Sequence, residues 1–427
     1  MARNAAGQED GYGKLRFGRG VDNRSEKSRL EEGFSRIADN LDISTNAVLT
    51  PREGSTLKAA LTGAHSLHAF EHFPYAFVGD AKSIYRMDSN YNLVQLVSGL
   101  NGTTIYYEQL GNKVFWSNGS ANGIVNPDGS TAPWGIETPL PSFAVTAVSN
   151  GGMYCGRYGL TLTFESANGE ESGAPEPVFL DVPDGGGIQV TNLSPPSTNA
   201  PQRIRFYCTQ PNGTDLLFSQ TAPVNTSQWT LGAQILGRPL TTLLKDPMPP
   251  ATHLLAKAGC IFGAVGNLLM WTDPLYYGVT DLSNNYIPFA SPLRMIAAPE
   301  SVRFILYVSD GEKVHRLEGA SIATASRVTV QSQGCVPGSM VMVPADALNL
   351  NDVFKPVPVW IGGEGIPYAG TEEGAIPLHD KFVYPIYDNA AAMFLRRNGA
   401  NRYLVAGQGG RTSALAMSDC AEIRIVP

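Results

Sequence analysis

The chain has 427 residues, enough for two or three domains at roughly 150 residues each and for a large core. Apolar residues make up 43% and charged residues only 16%, and the formal net charge is −7. That balance argues against a protein that grips DNA, because affinity for phosphate comes from Lys and Arg, and it suits a surface that DNA must pass without sticking.

The 45 Gly and 30 Pro punctuate the chain, Gly by permitting positive φ and Pro by fixing φ. Many such breakers among many apolar and aromatic residues predict short strands joined by tight turns. Met1 to Gly13 is polar and lacks an apolar core, so no signal peptide is expected there. Residues 1–20 are Gly-rich and polar and read as a mobile or partner-ordered arm. Over 1–40, the arm and the short element that follows it, Lys14, Arg16, Arg19, Arg24, Lys27 and Arg29 interleave with Asp22, Glu26, Glu31 and Glu32. This mixture predicts a solvated surface or a protein contact, with DNA binding as the lesser reading. Over 25–38, Ser25 stands as a possible cap, and Leu30, Phe34 and Ile37 recur at helical spacing; a short helix is expected, or a loop with one turn.

Residues 41–140 read as β. Tyr75–Gly79, Ser83–Met87 and Leu93–Val97 form one unit, and Thr104–Leu110 with Lys113–Ser117 begins a second. Turns at Asn118–Gly119, Asn122–Gly123 and Asp128–Gly129 carry the strongest short hairpin signal, because these pairs favour the positive φ of primed turns. Residues 141–245 differ. Phe143–Val148, Leu160–Glu165, Phe179–Val182, Ile188–Thr191, Ile204–Thr209 and Asp215–Ser219 largely alternate apolar and polar, which predicts an antiparallel sandwich of immunoglobulin or fibronectin size inserted in a loop.

Over 246–427 the first cadence returns. Leu254–Trp271 is long and apolar, but Lys257, Asn267 and three glycines interrupt it, so two strands about a turn at Gly266–Asn267 are expected, with no membrane span. Val302–Val308, Lys313–Leu317, Pro356–Ile361, Gly365–Ala369, Arg402–Ala406, Ser413–Met417 and Glu422–Val426 follow. The two β regions together fit about six blades of a β-propeller at 40–50 residues each, with another multi-sheet β fold as the alternative. The fold class expected is therefore all-β, a propeller with an inserted immunoglobulin- or fibronectin-like sandwich.

Catalytic machinery is thin, and no catalytic, cofactor or metal residue is assigned. His65, His68 and His72 would share a helix face and could bind a metal, but their apolar neighbours and Pro74 favour a strand or turn. Gly362–Gly365 lacks the Lys-Ser/Thr of a phosphate loop and reads as a hairpin turn. Asp181 and Asp184 beside Gly185–Gly187 offer a calcium site or, more simply, an acidic turn. Asn126–Trp134 has only a faint, wrongly spaced similarity to a sialidase Asp-box. Trp116, Trp134, Trp229, Trp271 and Trp360 could stack on sugars if exposed, though core positions are the simpler expectation. Cys155, Cys208, Cys260, Cys335 and Cys420 are odd in number and never spaced as C-x-x-C, so buried free thiols in a reducing compartment are expected, with a disulfide between two of them or metal binding as the lesser readings.

Four segments bear a family resemblance. Gly18–Asp42 with Leu49–Gly54, Trp134–Pro139, Tyr158–Pro175 (including Gly169-Glu-Glu-Ser172) and Ile261–Pro274 resemble, in this order, tail hub and nozzle proteins of short-tailed double-stranded DNA bacteriophages. The resemblance implies a structural, non-enzymatic virion protein. It implies a homohexameric ring below the portal-adaptor proteins of the neck, with tail fibres or spikes attached. Genomic DNA would pass its channel without sequence-specific binding, and the protein would assemble in host cytoplasm. A carbohydrate- or receptor-binding propeller is the alternative, and a propeller hydrolase a more remote one.

Overall fold

The computed structural model describes residues 20–36, 41–43, 49–51, 56–70, 72–196, 201–233, 236–348, 350, 355–378, 382–397, 400–409 and 420–425. Lys58–Ala290 forms one compact unit, and Met1–Leu57 with Ser291–Pro427 forms another.

Within the second of these, β1 (Gly20–Val21) pairs in parallel with β2 (Phe34–Ser35), and β3 (Leu41–Ile43) pairs antiparallel with β4 (Leu49–Pro51). Of the two readings of 25–38, the loop with one turn holds in the described part and the helix does not form. Lys27–Arg29 make a single 3-10 turn, Leu30 is extended, and Gly33 reverses the chain at φ +92°. The reason lies upstream: the fully buried Asp22 carboxylate accepts the N–H groups of Arg24 (3.1 Å) and Ser25 (2.9 Å) and the Ser25 hydroxyl (2.7 Å). Ser25 is thus held as a donor inside an Asx turn and caps nothing. The arm before Gly20 and residues 37–40 lie outside the described residues.

The Lys58–Ala290 unit holds three four-stranded antiparallel meanders. The first is β5 (His65–Ala69), β6 (Ala76–Gly79), β7 (Ile84–Met87) and β8 (Leu93–Val97). The second is β9 (Tyr106–Leu110), β10 (Lys113–Ser117), β11 (Asn122–Val125) and β12 (Thr131–Ala132). Between it and the third lies the sandwich: β13 (Ala144–Met153), β14 (Gly156–Glu165), β15 (Val178–Val182), β16 (Gly186–Thr191), β17 (Arg203–Cys208), β18 (Leu217–Pro223) and β19 (Gln228–Leu231). The third meander is β20 (Thr252–Lys257), β21 (Cys260–Val265), β22 (Leu268–Trp271) and β23 (Tyr286–Pro288). Its central hairpin turns at Gly266–Asn267, where φ is +63° at Gly266, so the long apolar stretch is two strands.

The other unit adds β24 (Met295–Ala297), β25 (Phe304–Ser309), β26 (Val314–Gly319) and β27 (Ser326–Gln331) as a fourth meander. A fifth is β28 (Val341–Val343), β29 (Val357–Ile361), β30 (Pro367–Gly370) and β31 (Ala375–Pro377). β32 (Asn389–Arg397), β33 (Ala400–Gln408) and β34 (Cys420–Ile425) make a three-stranded sheet. The fold is all-β, and the up-and-down meander of four strands is the blade of a β-propeller. Five blades stand among the described residues.

The sandwich has seven strands in two sheets, β13-β16-β19 and β15-β14-β17-β18. It keeps the size and two-sheet plan of the expected module with a strand order of its own. Leu160, Leu162 and Phe164 of β14, Ile204 and Phe206 of β17, Ile188 and Val190 of β16 and Leu231 of β19 share its core. Their alternation with polar residues is the physical signature the sequence carries.

Blades pack face to face through aromatic and branched residues. Phe73, Phe77, Ile84, Tyr107, Val114 and Trp116 fill the space between the first two blades, and Phe115, Trp134, Met248, Ile261 and Met270 that between the next two. Tyr307 and Trp360 meet at a centroid distance of 5.4 Å between the fourth and fifth.

Candidate functional site at the joint of blades and sandwich

The sandwich leaves the blades and returns at one place. The Thr138 hydroxyl lies 3.0 Å from the Lys245 carbonyl and 2.8 Å from Asp246 Oδ1, so the outgoing and incoming chains share one proton donor. Ala174 donates its N–H to the Thr242 carbonyl (2.9 Å), and Leu244 donates to the Ala174 carbonyl (2.8 Å). Gly173 permits this approach: a Cβ there would sit 1.7 Å from the Lys245 carbonyl oxygen.

The next blade closes on the same point. Asp246 and Thr280 exchange both backbone bonds, at 3.0 and 2.8 Å, and the Thr280 hydroxyl donates to the Trp271 carbonyl (2.5 Å). Lys245 forms an ion pair with Asp273, whose other oxygen accepts the Asn285 amide at 2.8 Å. The buried Trp134 donates its indole N–H to the Tyr277 carbonyl (2.6 Å), and its ring packs on Phe115 at 5.1 Å. Gly135 sits at φ +83°, and a Cβ there would lie 2.2 Å from the Gly278 carbonyl oxygen.

From the sandwich, Glu170 reaches into this loop. A Cβ on Gly278 would lie 2.2 Å from Glu170 Oε1. Burial pushes the Glu170 carboxyl above the usual carboxylate range, with Lys113 opposing the shift. Its neighbour Glu171 points the other way. It accepts the Thr163 hydroxyl (2.6 Å) and the Tyr207 hydroxyl (2.5 Å) and faces Arg205 and Arg238 at 3.8 and 3.6 Å. Burial, then the bond to Glu171, raises the Tyr207 phenol. Arg205 also pairs with Glu165 at 3.0 Å and lies 4.6 Å from the centre of the Phe218 ring. Three segments far apart in sequence, Trp134–Thr138, Glu170–Ala174 and Trp271–Asp273, are therefore neighbours. Geometrically this is a rigid joint, satisfied largely by its own polar groups.

A second cluster lies on the first strands of two blades. The His253 ring stacks 4.4 Å from the Tyr106 ring, and its Nδ1 contacts the Thr252 hydroxyl at 3.0 Å. His253 occupies a bulge in β20 at φ +53°. Burial lowers its pKa to about 4 and raises that of Tyr106 to about 12. Glu108, on the same face of β9 as Tyr106, carries an enclosed carboxyl that accepts the Ala256 N–H; burial lifts its pKa to about 8 although the residue as a whole is only half-buried. These groups are neutral packing elements near pH 7.

The residues singled out from sequence fall as follows. His65 and His68 lie on a strand, β5, and not on a helix. The His65 ring nitrogen contacts the Ser66 hydroxyl at 2.7 Å, His68 packs 4.3 Å from Phe70 with burial lowering its pKa, and His72 is exposed. Asp181 and Asp184 are both exposed. Gly362–Gly365 is a hairpin turn closed by the Gly362 N–H on the Ile366 carbonyl (2.8 Å). Asn126–Ser130 is the turn between β11 and β12, with Asp128 accepting the Ser130 N–H at 2.9 Å. Trp116, Trp134, Trp271 and Trp360 are buried, and the half-buried Trp229 donates to Gln220 at 3.0 Å. Cys208, Cys260 and Cys335 are buried free thiols whose pKa values burial raises to about 12, 11 and 11; Cys155 is free and exposed, and the Cys420 side chain lies outside the described residues. Lys14, Arg16 and Arg19 also lie outside them. Arg29 faces Glu26 at 3.8 Å in an exposed pair. Among the described residues no group of three or more His, Cys, Asp or Glu is placed to hold a metal, and no helix is long and apolar enough to cross a membrane.

Sequence reading missed Asn23, Thr138, Glu108 and His253. The partners of the first two lie more than 100 residues away in sequence, which no local pattern announces. Within Tyr106–Leu110, Glu108 stands beside the polar Gln109, so the strand gives no local sign that one of the two carboxyl or amide groups is enclosed.

No family model matches the chain, and no curated protein does. Among solved structures it is faintly similar to BBS1N in complex with ARL6DN (11% identity, 86% of this chain and 93% of that one, TM-score 0.34). It is similarly close to the N-terminal domain of Nup159 (9%, 80% and 73%, TM-score 0.30) and to Hsv2p of Kluyveromyces lactis (9%, 80% and 89%, TM-score 0.28). Likenesses this distant carry no functional argument, and the architecture rests on the sheets themselves.

Proposed function

We propose that this chain is a structural, non-enzymatic virion protein, a tail hub or nozzle of a short-tailed double-stranded DNA bacteriophage. Six copies close into a ring below the portal-adaptor proteins, leave a channel for DNA ejection and carry attachment points for fibres or spikes. One observation supports this reading above the others. The Trp134–Pro139, Gly169–Ser172 and Trp271–Pro274 stretches, which carry much of the resemblance to that family, are brought together as the joint that fixes the sandwich on the blades. Segments that set assembly geometry are expected at such a joint, where a small shift in angle changes how copies meet.

Two features favour a scaffold over a catalyst or a sugar binder. Glu108, Tyr106 and His253 are uncharged near neutral pH and packed between strands, and four of the five tryptophans are core residues. With a net charge of −7, the chain suits contact with DNA in transit. The test is electron cryomicroscopy of the full chain with the portal-adaptor assembly of its phage: this reading expects the chain as a six-fold ring at the adaptor's distal face, and failure of the chain to join that assembly overturns it.

A further inference from the structure

Six Asn-Gly pairs stand among the described residues: Asn101, Asn118, Asn122, Asn150, Asn168 and Asn212, each followed by Gly. Such a pair is open to an internal reaction. The Gly nitrogen attacks the Asn side-chain carbonyl carbon, a C–N bond forms, and the side-chain nitrogen leaves as ammonia. Water then opens the resulting succinimide to aspartate or to isoaspartate, whose backbone is one methylene longer. The side chain must be free to turn toward the following nitrogen, so geometry ranks the pairs.

Four of the six have their amide engaged. Asn101 Oδ1 accepts the Thr103 hydroxyl (2.7 Å) and its Nδ2 donates to Ser120 (2.8 Å). Asn118 Oδ1 accepts the Ala121 N–H (2.8 Å), and Asn122 Nδ2 donates to the Met248 carbonyl (2.8 Å). Asn212 is exposed, but its Oδ1 accepts the Arg157 N–H at 3.1 Å and its backbone, at φ +60°, donates to the Arg157 carbonyl at 2.8 Å. Asn150 lies in β13, where the Gly151 carbonyl accepts the Ala233 N–H at 2.7 Å and fixes the following peptide. Asn168 sits at the exposed tip of the hairpin after β14, and its amide makes no hydrogen bond among the described residues.

We propose that Asn168-Gly169 is a deamidation site of the folded protein, and that its conversion disturbs the joint. The loop is closed tightly: Ser166 donates its N–H to the Glu170 carbonyl (2.9 Å), Glu170 donates to Ser166 Oγ (3.1 Å), and the attacking nitrogen of Gly169 donates to the Ser166 carbonyl (3.1 Å) as that of Gly213 does to the Gln210 carbonyl (2.9 Å), so Asn168 and Asn212 differ at the side chain. Isoaspartate inserts a methylene into that ring of bonds, two residues before the carboxyl that rests against Gly278. It also adds a negative charge beside Glu170 and Glu171.

The experiment is peptide mapping by mass spectrometry of the full chain after incubation at mildly alkaline pH, folded and in urea. In the folded chain Asn168 converts about tenfold faster than the equally exposed Asn212, whose amide must first release a hydrogen bond. In urea the two rates converge, because the difference belongs to the fold. Equal rates in the folded chain, or a gap that persists in urea, would overturn the proposal.

Discussion

The Ser117 hydroxyl accepts the backbone N–H of Ala251 at 2.8 Å, joining the end of β10 to the residue before β20, 134 positions later. Both residues are fully buried. The same bond recurs elsewhere. The Ser309 hydroxyl, at the end of β25, accepts the N–H of Cys335 at 3.0 Å, and the Ser66 hydroxyl accepts that of Ile105 at 2.8 Å. In the first blade the position matching Ser117 and Ser309 is Gly79, where a Cβ would lie 2.7 Å from Ile105, and Ser66 on the paired strand supplies the hydroxyl instead. At these three junctions one serine satisfies the N–H through which the chain comes into the next blade.

Replacing Ser117 with Ala leaves a buried N–H without an acceptor. The expected loss is about 1–3 kcal/mol, and Ser309→Ala should lose a similar amount. Urea denaturation followed by tryptophan fluorescence checks both, since Trp116 and Trp360 lie in the adjoining interblade cores. An unchanged midpoint for both variants would show that these bonds do not hold the blades.

Gly173→Ala probes the joint. Its methyl group would overlap the Lys245 carbonyl, which is tied to Thr138, so neither chain can yield alone. Overpacking of this kind costs about 1–3 kcal/mol or more. The expected outcome is earlier proteolytic release of the sandwich, with the sandwich itself still folded around Leu160, Phe164 and Phe206.

Asn23 ties the N-terminal segment down with two bonds: its Nδ2 donates to the Val383 carbonyl at 2.8 Å, and its Oδ1 accepts the Val383 N–H at 2.9 Å. Asn23→Asp keeps the acceptor and turns the donor into a charge facing a carbonyl. A loss of about 1–3 kcal/mol is expected, seen as faster tryptic cleavage at Arg24, Lys27 and Arg29.

Glu108 makes stability depend on pH. Its folded pKa, about 8, lies above the ordinary 4.5, so between these values only the folded chain holds the proton. This group's contribution is therefore greatest below pH 4.5, falls as pH rises through the window and is flat above about 8. Glu108→Gln removes that slope. It should stabilise the protein at pH 8 by about 1–3 kcal/mol, discounted because the residue keeps some exposure, and leave it nearly unchanged near pH 4.5. Thermal melts at the two pH values measure the difference.

Much of this fold is written locally. The alternation of β14 and β17 gave the sandwich, and Gly266–Asn267 and Asp310–Gly311 gave hairpins where glycine must adopt positive φ. The spacing of Leu30 and Phe34 misled, because a buried Asp22 and a left-handed Gly33 decide that segment and neither enters a periodicity count. The joint was legible as quoted motifs but not as a place, since Thr138 and Lys245 are 107 residues apart. Glu108 and Ala256 are likewise linked only by the packing of β9 against β20.

The central claim is that the chain works by assembling. Electron cryomicroscopy of the full chain, alone and mixed with the portal-adaptor proteins of its phage, tests it most directly. The account predicts six copies closed around an open channel, at least in the mixture. Single, unassociated copies in both samples would contradict it.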